Sequence, residues 1–236
     1  MDRSEFLEYL RLRLDVINSD VSPSYEDDEL YPFLDRAYLM VIDQQAKQGN
    51  FHFLKGLLTS STVKSDSITS LSDDVYMKNN EDTYPLKVNL NSLTSFYIHT
   101  YSQTKVKRGD SISSTSSYQW FPNDPIQIEN ASNVLITPVN KPYFLYPKVL
   151  VDYNEQNLII FPDNYMMFDP ASNSVKINYL KLPEKFNSKN FSIPAIHESL
   201  HHDIADKAAN LAKIPINAQE AAQEVQVDEQ VKRSES

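Results

Sequence analysis

Helical periodicity occupies the two ends of this 236-residue chain and strand chemistry fills its middle, an order that restricts the fold more than any single motif does. Residues 3–18 set Phe6, Leu7, Leu10, Leu14 and Ile17 at helical spacing, and Asn18–Ser24, with Pro23, makes the break. The next stretch, "SYEDDELYPFLDRAYLMVIDQQAKQG", opens with acids, which favour the positive end of a helix dipole. Its Leu30, Phe33, Leu34, Ala37, Tyr38, Val41 and Ile42 form one apolar stripe, and Gly49 is the expected stop. Pro32 is tolerable there if it lies in the first turn. Residues 194–213 return to helix after Pro194.

Between these ends the composition changes near residue 57. "LLTSSTVKSDSITSLSDD" reads as short strands with loops, and "YPLKVNL", "SFYIHTYS", "DPIQIENA" and "NVLITPV" carry β-branched and aromatic residues. "KVLVDYNEQNLIIFPD" reads as a hairpin turning near Asn154–Asn157, "SVKINYLKLP" as a further strand, and "GDSISSTSSYQWF" as an exposed loop closing on Trp120. The expected fold is α+β: a helical bundle from both termini, residues 1–56 and 184–213, with a β-rich insertion over 57–183. Residues 214–236 are rich in Ala, Gln and Glu and form either a docking tail or a disordered one.

Charge and residue usage exclude several functions. The formal net charge is −10, whereas a nucleic-acid binder concentrates Lys and Arg on a face; the one basic knot, "KVKRG" at Lys105–Gly109, reads as a solvated strand end. Three glycines (Gly49, Gly56, Gly109) cannot build either common phosphate-cradling loop. There are no cysteines, hence no disulfides, thiolate metal sites or cysteine nucleophiles. The charged N-terminal segment "MDRSEFLEYLRLRLD" has no apolar core for a secretory signal, and no apolar run approaches the roughly 20 residues that span a bilayer.

One motif carries chemistry. His197-Glu198-Ser199-Leu200-His201 spells H-E-x-x-H, in which two imidazoles four apart on one helical face grip Zn²⁺ and the Glu acts as general base. A catalytic site also needs a third ligand. Asp206 lies about 140° around the helix from His201, and Glu220 would return only about 3 Å along a path of roughly 18 Å. The packing alternative sets Ile196, Leu200, Ile204, Ala208 and Leu211 over one face, with His197 in that stripe, His201 at its edge, and Glu198, His202 and Asp206 pointing away. The motif is therefore expected to be a decoy, with no metal or other cofactor. Asp152, Asp163 and Asp169 have no defensible acid–base spacing, and no serine sits in a Gly-x-Ser-x-Gly elbow. A zinc peptidase using His197, Glu198 and His201 remains one alternative, and a recognition module built on the Tyr-rich strands and Trp120 another.

Three stretches together resemble the head-to-tail connector (adaptor, or neck ring) proteins of tailed bacteriophages, most closely those of short-tailed crAss-like phages. "YEDDELYPFLDRAYLMVIDQ" is similar to the family's acid-capped second helix with its Leu-Asn-x-Ala step, written here Leu34-Asp35-Arg36-Ala37, so that Asp35 departs from the usual Asn. "KPYFLYPKVLVDYNEQNLIIFPD" with "VKINYLKLP" resembles its β segment, and "IPAIHESLHHDIADKAANLAK" its closing helix, in which His197, Glu198 and His201 are surface and flank positions. The resemblance implies a non-enzymatic virion protein forming a ring, usually a dodecamer, at the portal vertex. Such a protein is assembled in the host cytoplasm and ends at the capsid–tail junction. Its partners would be its own copies, the portal and a tail or second ring protein, with genomic DNA passing through the lumen without specific binding and no membrane involved. Leu30, Phe33, Tyr38, Ile214, Ile216, Val225 and Val227 are the expected subunit or portal contacts. An acidic surface suits a channel that DNA must slide through.

Overall fold

A computed structural model describes residues 3–15, 25–63, 68–70, 86–108, 117–127, 146–161, 166–168, 174–186 and 195–213. The fold is α+β, and the chain divides into two compact units: residues 1–57 with 183–236, and residues 58–182. "NVLITPV" and the tail 214–236 lie outside the described residues.

The first unit holds the described helices. Helix α1 spans Arg3–Asp15 and buries Phe6, Leu7, Leu10 and Leu14; Ile17 lies outside the described residues. Helix α2 spans Asp27–Lys47 and begins with a capping box, in which Glu26 accepts from the Glu29 backbone and Glu29 reaches back to the Glu26 N–H at 3.0 Å. Its buried stripe runs Leu30, Tyr31, Leu34, Ala37, Tyr38, Val41, Ile42 and Gln45. Gly49 then adopts φ +73°, a left-handed conformation that glycine takes without strain.

Pro32 departs from expectation. It is the sixth residue of α2 rather than a first-turn residue, so the Asp28 carbonyl lacks its helical donor. Both residues are exposed, and solvent can serve that carbonyl. After a short 3₁₀ turn at Phe51–Leu54 the backbone passes very close to residue 195: a Cβ on Gly56 would stand 2.3 Å from the Ala195 carbonyl oxygen. Helix α3 covers 201–213. Tyr25 Oη donates to the Ala212 carbonyl at 3.1 Å, and the Phe186 N–H donates to Asp35 Oδ1 at 2.8 Å. Asp35, the residue at which the helix step departs from Asn, thus pins the returning chain to α2.

The second unit is two antiparallel-rich sheets. In chain order the strands are β1 (Leu58–Val63), β2 (Ile68–Ser70), β3 (Leu86–Asn89), β4 (Phe96–Arg108), β5 (Gln119–Pro122), β6 (Asp124–Ile126), β7 (Lys148–Asp152), β8 (Asn157–Phe161), β9 (Met166–Phe168) and β10 (Val175–Lys181). One sheet runs β1-β10-β4-β5 with β9 also on β4; the other runs β2-β3-β8-β7-β6. Val63, Val175, Ile177 and Tyr179 from the first sheet cluster with Val88, Val149, Leu158 and Ile160 from the second, so the sheets pack face to face. Strand β8, "NLIIF", is buried along its whole length because Ile159 and Phe161 on its other face join Leu150 and Ile126 in a second cluster.

The expected β7–β8 hairpin turns at Tyr153–Gln156. Asp152 Oδ1 accepts the Asn154 and Glu155 N–H groups, and Gln156 takes φ +56° in place of a glycine. Strand β4 is longer than its sequence suggests and carries the basic knot from Lys105 to Arg108 within it.

Candidate functional site

The zinc-type motif does not form the geometry its spelling implies. His197 precedes any helix, with φ −62° and ψ 139°, and residues Glu198–Leu200 form a 3₁₀ turn before α3 begins at His201. The His197 N–H donates to the Phe53 carbonyl at 2.8 Å, which holds this backbone extended. Its Nδ1 accepts the Ser199 N–H at 3.2 Å, capping the turn below it. Two imidazoles four residues apart share a helical face only when both belong to the helix, and here they do not.

The burial pattern keeps Ile196, Leu200, Ile204 and Ala208 of the expected stripe inside and differs at the histidines. His197 is exposed, whereas His201 is 2% exposed and sits edge-on to Phe6, with ring centroids 6.2 Å apart. His197 is thus a surface residue that caps the turn, whereas His201 packs inside and is not the flank position expected. The inward positions of α3 are His201, Ile204, Ala205, Ala208, Ala209 and Ala212, a run of i, i+3, i+4 spacings that starts at His201 because the helix does. Leu211 is only partly buried. His202 and Asp206 face α1: the His202 ring lies 4.6 Å from Tyr9, and Arg13 Nε reaches Asp206 at 2.9 Å. Among the described residues no group of three or more His, Cys, Asp or Glu gathers where it could hold a metal ion.

The remaining histidines are placed by packing. His52 stacks near Phe53, at 3.9 Å between ring centroids. His99, on β4 opposite Tyr179, is held down to about 4 by burial, which disfavours its charged form. This produces a pH dependence with a definite sign. The unfolded chain takes up the proton near the ordinary 6.5, the folded chain only near 4, so the stability is complete above about pH 6.5 and is lost as pH falls towards 4. At pH 4.5 the loss from this group amounts to roughly 2–3 kcal/mol. Melting curves at pH 7.5 and 4.5 should therefore diverge less for His99→Leu than for the parent, and equal divergence would remove His99 as the cause.

Of the expected contact positions, Leu30 and Tyr38 are corrected. They are 0% and 3% exposed within this chain, packed into the buried stripe of α2, and leave no surface for a partner. Tyr38 lies 5.9 Å from Phe186 between ring centroids, and burial pushes its phenol up. Phe33 is partly exposed and meets Tyr25 edge-on at 6.2 Å. Ile214, Ile216, Val225 and Val227 lie outside the described residues, as do Asp163 and Asp169.

The structure instead exposes apolar side chains that periodicity did not single out: Leu12 on α1, Met40 on α2, Leu58 on β1, and Tyr101 and Trp120 on the first sheet. Leu12 could have been noticed as the leucine between Arg11 and Arg13 that falls off the stripe of α1. No helix among the described residues is long and apolar enough to cross a membrane. No known protein-family model matches the chain, and no curated protein matches it either.

Proposed function

We propose that this chain is a non-enzymatic virion protein that forms a ring, twelvefold by its family resemblance, joining the capsid portal to the tail while DNA passes through the lumen. The observation that carries the reading is the way distant stretches combine. Two of the three family-like stretches, around α2 and α3, belong to one compact unit made from both ends of the chain, where Asp35 and Tyr25 tie them to the returning backbone. The third stretch supplies β7, β8 and β10 of the other unit. In this reading α1, α2 and α3 constitute the helical connector domain, and the β sandwich is its insertion.

Contact positions on the helical domain are then Phe33, Leu12 and Met40, together with Ile214, Ile216, Val225 and Val227 of the tail. The acidic surface keeps the DNA path non-adhesive. The capping role of His197 and the buried packing of His201 support this reading over a zinc peptidase, because a catalytic ion must meet both water and substrate.

Native mass spectrometry of the chain, alone and mixed with the portal protein of the same genome, tests the proposal. The expected spectrum shows a metal-free chain joining the portal in ring-like number. A portal that stays bare, or a chain carrying one zinc per copy, overturns it.

A further inference from the structure

We infer that the outward face of the first sheet binds an acidic polysaccharide, one whose sugars carry carboxylates, with Tyr101 and Trp120 as stacking platforms and Lys176 as the carboxylate's partner. This activity is additional to the connector reading and does not depend on it.

Strand register defines the face. Along β4 the side chains alternate: Ser102, Thr104 and Val106 are buried, the first two on the side of Ile177 and Val175, so Tyr101, Gln103 and Lys105 point the other way. The pairings Lys176↔Gln103 and Asn178↔Tyr101 add β10 to that outward face, and Gln103↔Pro122 and Lys105↔Trp120 add β5. Trp120 and Pro122, two residues apart on β5, thus continue past Tyr101 in one lane. Tyr101 and Trp120 are 39% and 38% exposed. Four residues of extended chain and one strand spacing set their Cα positions roughly 14 Å apart, room for a short run of sugars between and over the two rings.

The border of the lane favours a sugar over a protein. Beside the aromatics run Gln103, Lys176 and Asn178, with the exposed Ser60 and Thr62 of β1 paired beyond them. A protein contact needs an apolar centre depleted of charge, and here amides, hydroxyls and an ammonium take that place. A sugar ring needs both kinds of surface at once. Its C–H face lies on a flat aromatic ring, and the hydroxyls around its rim meet side chains that donate and accept.

Charge selects the kind of sugar. The chain carries 32 Asp and Glu against 22 Lys and Arg, yet the residues placed on this face include two lysines and no acid. Lys105 already has an interaction within the chain, so the ammonium assigned to the ligand is that of Lys176. It would hold a sugar carboxylate through a charge-assisted hydrogen bond. Nucleic acid fits this face less well, because it presents a phosphate at every nucleotide and gains its affinity by having many of them neutralised.

The chain has a single tryptophan, so its emission reports on this face directly. The full chain would be titrated with oligosaccharides of galacturonate, glucuronate, mannuronate and guluronate, following Trp120 emission and calorimetric heat. The expected result is a saturable blue shift with at least one of them. Lys176→Gln should weaken that binding about tenfold, as the loss of one charge-assisted bond does. Tyr101→Ala should weaken it to a similar degree, and Trp120→Ala, read by heat, should abolish it, all with melting temperatures close to the parent's. The methyl ester of the same oligosaccharide keeps the rings and removes the charge. It should bind the parent as weakly as the acid binds Lys176→Gln.

Silence with all four acids overturns the inference. So does equal binding of acid and ester, which would make this a neutral-sugar face without a role for Lys176. Polyglutamate that displaces the sugar would reduce recognition to charge, and tighter binding of oligothymidylate would make the face a nucleic-acid site; either result also overturns it. Loss of portal binding in Tyr101→Ala would assign the face to the virion assembly in place of a polysaccharide.

Discussion

Asn123→Ala is expected to destabilise the β sandwich by roughly 2–4 kcal/mol, because it leaves buried hydroxyls without partners. Asn123 is the single residue between β5 of one sheet and β6 of the other, and it is 4% exposed. Its Oδ1 accepts from Thr104 Oγ1 at 2.7 Å, its Nδ2 donates to Ser102 Oγ at 3.0 Å, and its backbone N–H donates to the Ser102 carbonyl at 3.0 Å. The next residue continues the crossing, with the Asp124 N–H on the Pro147 carbonyl at 2.8 Å and its carboxylate paired with Lys148. Ser102 and Thr104 are buried, so neither hydroxyl can turn to water when the amide is removed.

In melting temperature the expected loss is roughly 5–15 °C, read on the transition of the β unit. A second variant decides the cause. Ser102→Ala, Thr104→Val and Asn123→Leu together remove all three polar partners, and replacing both ends of a buried hydrogen bond by apolar groups can be nearly neutral. The triple variant should recover most of the loss. A triple variant as unstable as Asn123→Ala would show that the corner is held by shape and not by its hydrogen bonds.

This corner also marks where sequence reading stops. Helix α2 was legible because its signals agree: an acidic start, one apolar stripe and a glycine after the last turn, all realised at Asp27–Lys47. Strands β3, β4, β7, β8 and β10 were legible from β-branched and aromatic runs. Their pairing was not. That β1 lies on β10 and β3 on β8 depends on contacts between residues far apart in the chain, which leave no local trace. The positive φ of Ser95 and Gln156 likewise leaves no local trace, since neither is glycine or asparagine; each carbonyl instead accepts a backbone bond, Leu182 N–H to Ser95 and Leu90 N–H to Gln156.

The candidate site was legible as residues and misread as geometry. Counting a helix from Pro194 puts His197 inside it. The bond from the His197 N–H to the Phe53 carbonyl, supplied by a segment more than a hundred residues earlier, delays the helix to His201. Ile196 and Leu200 stay buried ahead of the delayed helix, and His201, Ala205, Ala209 and Ala212 join the inward face while Leu211 is only partly buried. The exposed aromatics Tyr101 and Trp120 share a face only once the strand order is known.

The two motif histidines should consequently behave differently when removed. His201→Ala takes a ring out of a packed position against Phe6, itself stacked 6.4 Å from Phe186, and should cost roughly 2–4 kcal/mol. His197→Ala removes an exposed capping acceptor and should cost about 1 kcal/mol. The sharper discriminator is His201→Leu. A packing role accepts a similarly sized apolar side chain at a loss below about 1.5 kcal/mol. A metal role rejects it as completely as alanine, because leucine has no ligand atom. Denaturant unfolding of the three variants, with and without added zinc, reads both quantities. The expected order is His201→Ala least stable, then the other two close to the parent, with zinc shifting none of them. Zinc that stabilises the parent, and fails to do so after either His197→Ala or His201→Leu, would mean that the two imidazoles meet on one ion, and the capping and packing roles assigned here would both be wrong.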